Sequence, residues 1–315
     1  DRVRKALERG EFPVREILIP PGEEVKTIET VGQIWAGLLA GGLERQSTVV
    51  VVGGGVVGDL AGFAAATFLR GVPWVAVPTT LLAMVDASLG GKTGADLPQW
   101  KNLIGTFHAP RLVLADPNVL RTLPLPELRA GMAEVIKAGV IADPKLFEQI
   151  RSTKLHEKSR KGENLETFVS FVDQILPRAI AVKVKVICDD PFEQGFRAAL
   201  NLGHTVGHAV ELVSGFKLRH GEAVAIGMVV EARMSERIGL AERGLADEIA
   251  DCLRGAGLPT EIPPELDREA IVRTMQVDKK KAGGKVKFAL PVRVGEVKVG
   301  VEVGNRELGI LNSEL

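Results

Sequence analysis

The stretch Val49-Val-Val-Val-Gly-Gly-Gly-Val-Val-Gly-Asp59 decides the fold. Four consecutive β-branched valines predict a buried strand over Thr48–Val52. Gly53, Gly55 and Gly58 follow at the spacing G-x-G-x-x-G and lead into a helical pattern over Leu60–Leu69. Glycine allows positive φ and close backbone approach, and the exposed N–H groups at a helix start suit a pyrophosphate. The acidic residue that ordinarily follows about twenty positions on, for a ribose hydroxyl, is missing. The chain instead reads Val77-Pro-Thr79-Thr80. The motif also follows a strand that is not the first of the chain. It is therefore either a tight strand–helix junction or a dinucleotide site of another lineage, and Asp59 reads equally well as a helix cap.

Outward from this turn, short β-rich runs alternate with helical ones. Glu16–Ile19, Val72–Val77 and Leu112–Leu114 are strand candidates, and Val31–Leu39 is a further helix. Such alternation predicts an α/β domain with a mostly parallel, Rossmann-like sheet covered by helices. After Thr122-Leu-Pro-Leu-Pro126 the character changes to long amphipathic helices, for example Leu165–Leu176 and Glu222–Arg237. Pro124 and Pro126 mark the boundary, since each disfavours helix at the residue before it. We read residues 1–123 as the α/β, nucleotide-binding domain and 124–315 as a mainly helical domain for metal and substrate. Alternating apolar residues between Lys285 and Val303 predict a closing hairpin.

Composition narrows the function classes. A chain of 315 residues is long enough for two cores. With 40 basic against 40 acidic residues there is no global field to draw it to nucleic acid or to a membrane. No apolar run reaches the length of a span, and nothing at the start reads as a signal peptide. Cys188 and Cys252 lack CxxC spacing and read as two buried thiols of a reducing cytoplasm. The opening Asp-Arg-Val-Arg-Lys reads as a helix entered partway, with residues upstream missing.

Two further segments carry chemistry. Asp86 to Asn102 reads as a glycine-interrupted loop bearing Lys92 and Lys101 between apolar flanks, a setting in which lysines need an anionic partner such as phosphate. Of five histidines, His204, His208 and His220 fall in one window, the first two at i and i+4 on one helix face. Neutral imidazole is a common metal ligand. Glu134, among Met132, Val135 and Ile136, is a buried carboxylate that needs a cation, either a metal beside two of the histidines or Lys137 at i+3. Spacing leaves open which two histidines would bind.

Six collinear segments together resemble the 3-dehydroquinate synthase family: Gly53–Gly71, Val77–Gly94, Lys101–Pro110, Ala133–Gly139, Leu200–Glu211 and His220–Met228. The resemblance implies that Glu134, His204 and His220 bind a divalent metal, usually zinc, with cobalt an alternative, and that His208 hydrogen-bonds in the active site. It implies NAD along Gly55, Val56, Val57, Gly58, Asp59, Thr79, Thr80, Lys92, Lys101 and the Leu120–Thr122 turn, with Gly22, Glu23 and Lys26 reaching the nucleotide. Asp86, Lys92, Asn102, Lys137, Lys183, Arg197, Asn201 and His208 would face a small anionic sugar phosphate. Arg70 would complete a neighbouring subunit's phosphate site, which implies a homodimer. The family's first strand and turn are absent here. Lys185 is an alternative to Lys183, and Lys285 and Lys287 are alternatives for one phosphate contact. The rival readings are a glycerol-dehydrogenase-like oxidoreductase and a nucleotide-binding module without chemistry.

Overall fold

The valine run becomes a strand because it finds a parallel partner along its whole length. In the computed structural model, which describes residues 2–97, 100–153, 165–281 and 286–304 with the side chains of 100–102 and 276–281 excepted, two compact units are distinguished. The first comprises residues 1–78 and 91–114, the second 79–90 and 115–315.

In the first unit, β1 (Val49–Gly53) pairs in parallel with β2 (Trp74–Pro78), residue for residue from Val49 against Trp74. A hairpin of β3 (Lys92–Leu97) and β4 (Trp100–Phe107) follows, and then β5 (Leu112–Val113) joins β2 in parallel, giving the order β1-β2-β5. Helices α1 (Arg2–Arg9), α2 (Ile28–Ala40) and α3 (Gly55–Thr67) complete the unit. Val31, Ile34 and Leu38 of α2 pack with Leu60 and Ala64 of α3, and Ala61 and Ala65 meet Val51, Trp74 and Ala76 of the sheet. This is the sheet-and-helix pattern that the alternation predicts.

Three expectations for this unit are corrected. Glu16–Ile19 is not a strand: Leu18 is 84% exposed, and Ile17 lies over Gly37 of α2, where a Cβ would come within 2.7 Å of its Cδ1. β-propensity expresses fit to a pleated surface, and no described strand runs beside this segment. The segment 86–102 is not simply a loop, because its second half is β3 and the start of β4. There β-branched Thr93, Ile104 and Thr106 fit a pleated ladder and Gly94 faces Gly105. Asp59 does not cap α3, which begins four residues earlier behind Gly54. It pairs with Lys26 instead, Nζ to Oδ2 at 2.6 Å.

The second unit begins with a π-helical turn, Ala83–Ala87. Then come α4 (Leu125–Ala142), α5 (Pro144–Thr153), α6 (Leu165–Asp189), α7 (His204–Val213), α8 (His220–Arg237), α9 (Leu245–Gly255) and α10 (Arg268–Lys281). An antiparallel hairpin, β6 (Lys287–Arg293) and β7 (Glu296–Glu302), closes it. Helices α4 and α8 are buried nearly all round, which makes them the interior of this unit rather than its surface. Met132, Val135, Ile136, Val224 and Val229 share one core with Phe147 and Ile175. Cys252 is buried as expected, and burial pushes its thiol up to about 12. Cys188 is exposed, contrary to expectation, because the last turn of α6 turns to solvent after Val186. Among the described residues no helix is long and apolar enough to cross a membrane.

Candidate active site

The candidate metal site is built from α4, α7 and α8, all in the second unit. Glu134 sits mid-way along the buried α4, where a carboxylate must be compensated. One oxygen, Oε2, contacts the Lys137 ammonium one turn away. The other, Oε1, is buried with no hydrogen-bond partner. It faces His204 Nε2 at 3.7 Å and His220 Nε2 at 3.9 Å. Helix α8 reaches α4 this closely only because Gly221 follows His220, since a Cβ there would lie 1.9 Å from the Ala130 carbonyl oxygen.

Both histidines are held by their other nitrogen. His204 Nδ1 lies 3.2 Å from the Leu202 carbonyl oxygen, and His220 Nδ1 lies 3.3 Å from Glu211 Oε2. With Nδ1–H donating to these acceptors, each Nε2 lone pair is turned towards Glu134, the arrangement of metal-ligating histidines. Burial, reinforced by the positive charge of Lys137, holds His204 well below its ordinary pKa and therefore neutral. For His220, burial is outweighed by the Glu211 hydrogen bond and the Glu134 carboxylate, so its pKa is raised. The orphaned Oε1 and two nitrogens fit a divalent ion, their separations slightly wider than the roughly 3.4 Å edge that metal–ligand bonds of about 2.0–2.2 Å give in a tetrahedron. His208 is the third member of the imidazole cluster, with all three ring nitrogens within 4.8 Å of one another. It is exposed, and its ring centroid is 5.1 Å from that of His204.

Cationic side chains gather beside this site. Lys183 of α6 is buried, with Nζ donating to the Asp86 carbonyl at 2.8 Å and contacting the Asp86 carboxylate, whereas Lys185 is exposed. Burial would raise the Asp86 carboxyl, but Lys183 and Lys137 outweigh it and hold it well below the usual range. Burial lowers Lys183 in turn, partly offset by Asp86. Arg197 is buried, with Nη1 donating to Pro191 O and Nη2 to Gly90 O at 3.2 Å. Asn201 donates to Glu193 Oε1 at 2.8 Å. Thr80 accepts from the Ala83 N–H and so starts the turn that carries Asp86; Thr79 precedes it, and Leu120 is buried while Thr122 is exposed.

The first unit holds most of the rest. Gly55, Val56, Val57 and Gly58 form the first turn of α3, with Asp59 and Lys26 paired beside it and Gly22 and Glu23 exposed upstream. Lys92 is exposed at the start of β3. Arg70 is exposed with a left-handed φ of 68°. Lys101 and Asn102 lie on β4, with side chains outside the described residues. Lys285 lies outside the described residues, and Lys287 is exposed at the start of β6.

Sequence reasoning missed Glu211 as a functional residue. Its signal was a lone acid inside the apolar helix His204–Val213, three residues after His208. Replacing Glu211 with Ala is expected to weaken divalent-metal affinity about 10–100-fold, as loss of a carboxylate behind a ligating histidine does. Chelator competition checks it, and an unchanged affinity would reduce Glu211 to a packing residue.

The two halves of the chain match the profiles of the 3-dehydroquinate synthase N-terminal domain, over residues 16–130, and C-terminal domain, over 131–281. A 3-dehydroquinate synthase of Synechococcus sp. is 48% identical over 310 residues, covering 98% of this chain and 83% of the relative. Among solved structures, the 2-epi-5-epi-valiolone synthase of Streptomyces hygroscopicus subsp. jinggangensis, with NAD+ and Zn2+ bound, superposes with TM-score 0.88 at 28% identity, covering 99% of this chain and 85% of that one. A 2-deoxy-scyllo-inosose synthase complexed with carbaglucose-6-phosphate, NAD+ and Co2+ gives TM-score 0.86 at 29% identity, covering 99% and 87%.

Proposed function

From the premise that this chain belongs to the 3-dehydroquinate synthase family, we propose that Glu134, His204 and His220 hold a divalent metal, zinc or cobalt, and that NAD lies along the glycine turn. The chain is an enzyme that converts 3-deoxy-D-arabino-heptulosonate 7-phosphate to 3-dehydroquinate and phosphate, in the shikimate route to aromatic amino acids. The observation that carries the metal assignment is the buried Glu134 Oε1, which has no hydrogen-bond partner and faces two anchored imidazoles. When bound, the nicotinamide takes and returns a hydride and the divalent ion makes the hydroxyl it binds more acidic.

The chain's own residues supply binding and orientation. Lys183 and Arg197, both buried, offer donors to the substrate's carboxylate and phosphate where water cannot screen them, and Lys137 and Lys92 add charge. Asp86 keeps Lys183 in place, and Asn201 and His208 hydrogen-bond the hydroxyls. Thr79, Thr80, Lys101, Leu120 and Thr122 contact the cofactor, as do Gly22, Glu23 and Lys26. Asn102 faces substrate. Residues 1–123 then serve mainly NAD and 124–315 mainly metal and substrate. Arg70, exposed with its backbone in a strained conformation, reaches a second copy's phosphate site in a cytoplasmic homodimer.

The test is the cofactor balance. Because the same carbon is oxidised and then reduced, the heptulosonate phosphate is expected to release one phosphate per turnover with trace NAD and no lasting rise in NADH absorbance. Stoichiometric NADH from glycerol, without phosphate release, would hand the case to a dehydrogenase.

A further inference from the structure

Helix α7 begins at His204, and its N-terminus is capped from another helix. The preceding residue, Gly203, has φ 79° and offers no side chain. None would fit, because a Cβ there would lie 2.7 Å from both the Val224 carbonyl oxygen and Met228 Cγ. The contact is equally tight from the other side, since a Cβ on Gly227 would lie 2.0 Å from the Gly203 carbonyl oxygen. Helices α7 and α8 therefore meet backbone against backbone, and the first N–H groups of α7 have no room for a local cap.

Glu231, one turn beyond Gly227, fills that role. The Gly203 N–H donates to its Oε2 at 2.5 Å and the Val206 N–H to its Oε1 at 3.3 Å. The two donors bracket His204. We propose that Glu231 is a positioning residue for the metal centre: its carboxylate, reaching across from α8, fixes the first turn of α7 and with it the aim of His204 Nε2.

The carboxylate is costly where it sits, which argues for a specific use. Glu231 is 0% exposed, among Val229, Val230 and Ala232, and no ion pair holds it among the described residues. Burial raises its pKa, while the backbone N–H groups of Gly203, Val206 and Thr205 pull it back towards the ionised form. An apolar residue of similar volume would satisfy the packing without that penalty. What the acid adds is two acceptors, placed where α7 has donors and the positive end of its dipole. The sequence signal is a single acid in the apolar run Ala223–Ala232.

The inference rests on His204 being a metal ligand, so the experiment separates the two. Wild type, Glu231→Ala and Glu231→Gln are stripped of metal, checked for folding by circular dichroism, and titrated with cobalt(II). Amide hydrogen exchange is followed in the metal-free proteins. Folded Glu231→Ala is expected to lose protection at Gly203, Thr205 and Val206, to bind cobalt about 10–100-fold more weakly, and to show altered visible bands of the bound ion. Glu231→Gln, which keeps one acceptor, is expected to fall between. A purely packing role would leave the cobalt spectrum unchanged. Wild-type affinity, spectrum and amide protection in folded Glu231→Ala, or in Glu231→Gln should the Ala variant not fold, would overturn the proposal. If the wild-type chain bound no cobalt, the ligand assignment itself would fail and the positioning role with it.

Discussion

His220→Ala is expected to lose its divalent metal and about three orders of magnitude in turnover, while His208→Ala keeps the metal. His220 presents Nε2 to the orphaned Glu134 Oε1 and anchors Nδ1 on Glu211. His208 is exposed, and its ring centroid lies 5.1 Å from that of His204 and 5.7 Å from that of His220. Lewis-acid stabilisation is worth several kcal/mol, and each 1.36 kcal/mol is a factor of about ten in rate. The fold should survive, because His220 sits at the first turn of α8 and the apolar body of that helix is untouched. Metal content per chain after dialysis, read beside circular dichroism, checks the claim. Full metal in His220→Ala together with its loss in His208→Ala would show that His208, rather than His220, completes the ligand set.

Lys183→Met is expected to abolish turnover and also to destabilise the second unit. Removing one partner of a buried pair typically costs about 3–5 kcal/mol, because the other charge is stranded. Here about 2–4 kcal/mol is expected, since the Asp86 side chain keeps 26% of its surface exposed. The double change Asp86→Asn with Lys183→Met should recover most of the stability, because no charge is left unpaired. It should not recover turnover, since the substrate's anionic groups would still lack their donor. Denaturant midpoints and phosphate release on the wild type and these two variants separate the two effects. A double variant that regained activity would make the pair a structural one.

Much of this protein was legible in its sequence. The valine run, the glycine turn and the strand–helix alternation are local signals, because β-branching and glycine act on their own backbone, and they predicted the parallel sheet correctly. The clustering of His204, His208 and His220 was visible for the same reason: residues at i and i+4 share a helix face wherever the helix goes. Strand existence was less secure. Glu16–Ile19 had the composition of a strand and is exposed coil, since a strand is defined by a neighbour that composition does not specify.

What only the tertiary structure decided are the pairings between distant segments. It puts Glu134 opposite His204 and His220 and seats Lys183 on Asp86, 97 residues away in the chain. It also packs Thr79–Gly90 with the second unit. Glu211 and Glu231 read in sequence only as stray acids in apolar helices, and each became interpretable once its acceptor oxygens had named donors. The division has one physical cause. Propensity and periodicity are properties of neighbouring residues, whereas burying a charge is settled by whichever partner the folded chain brings within hydrogen-bonding distance.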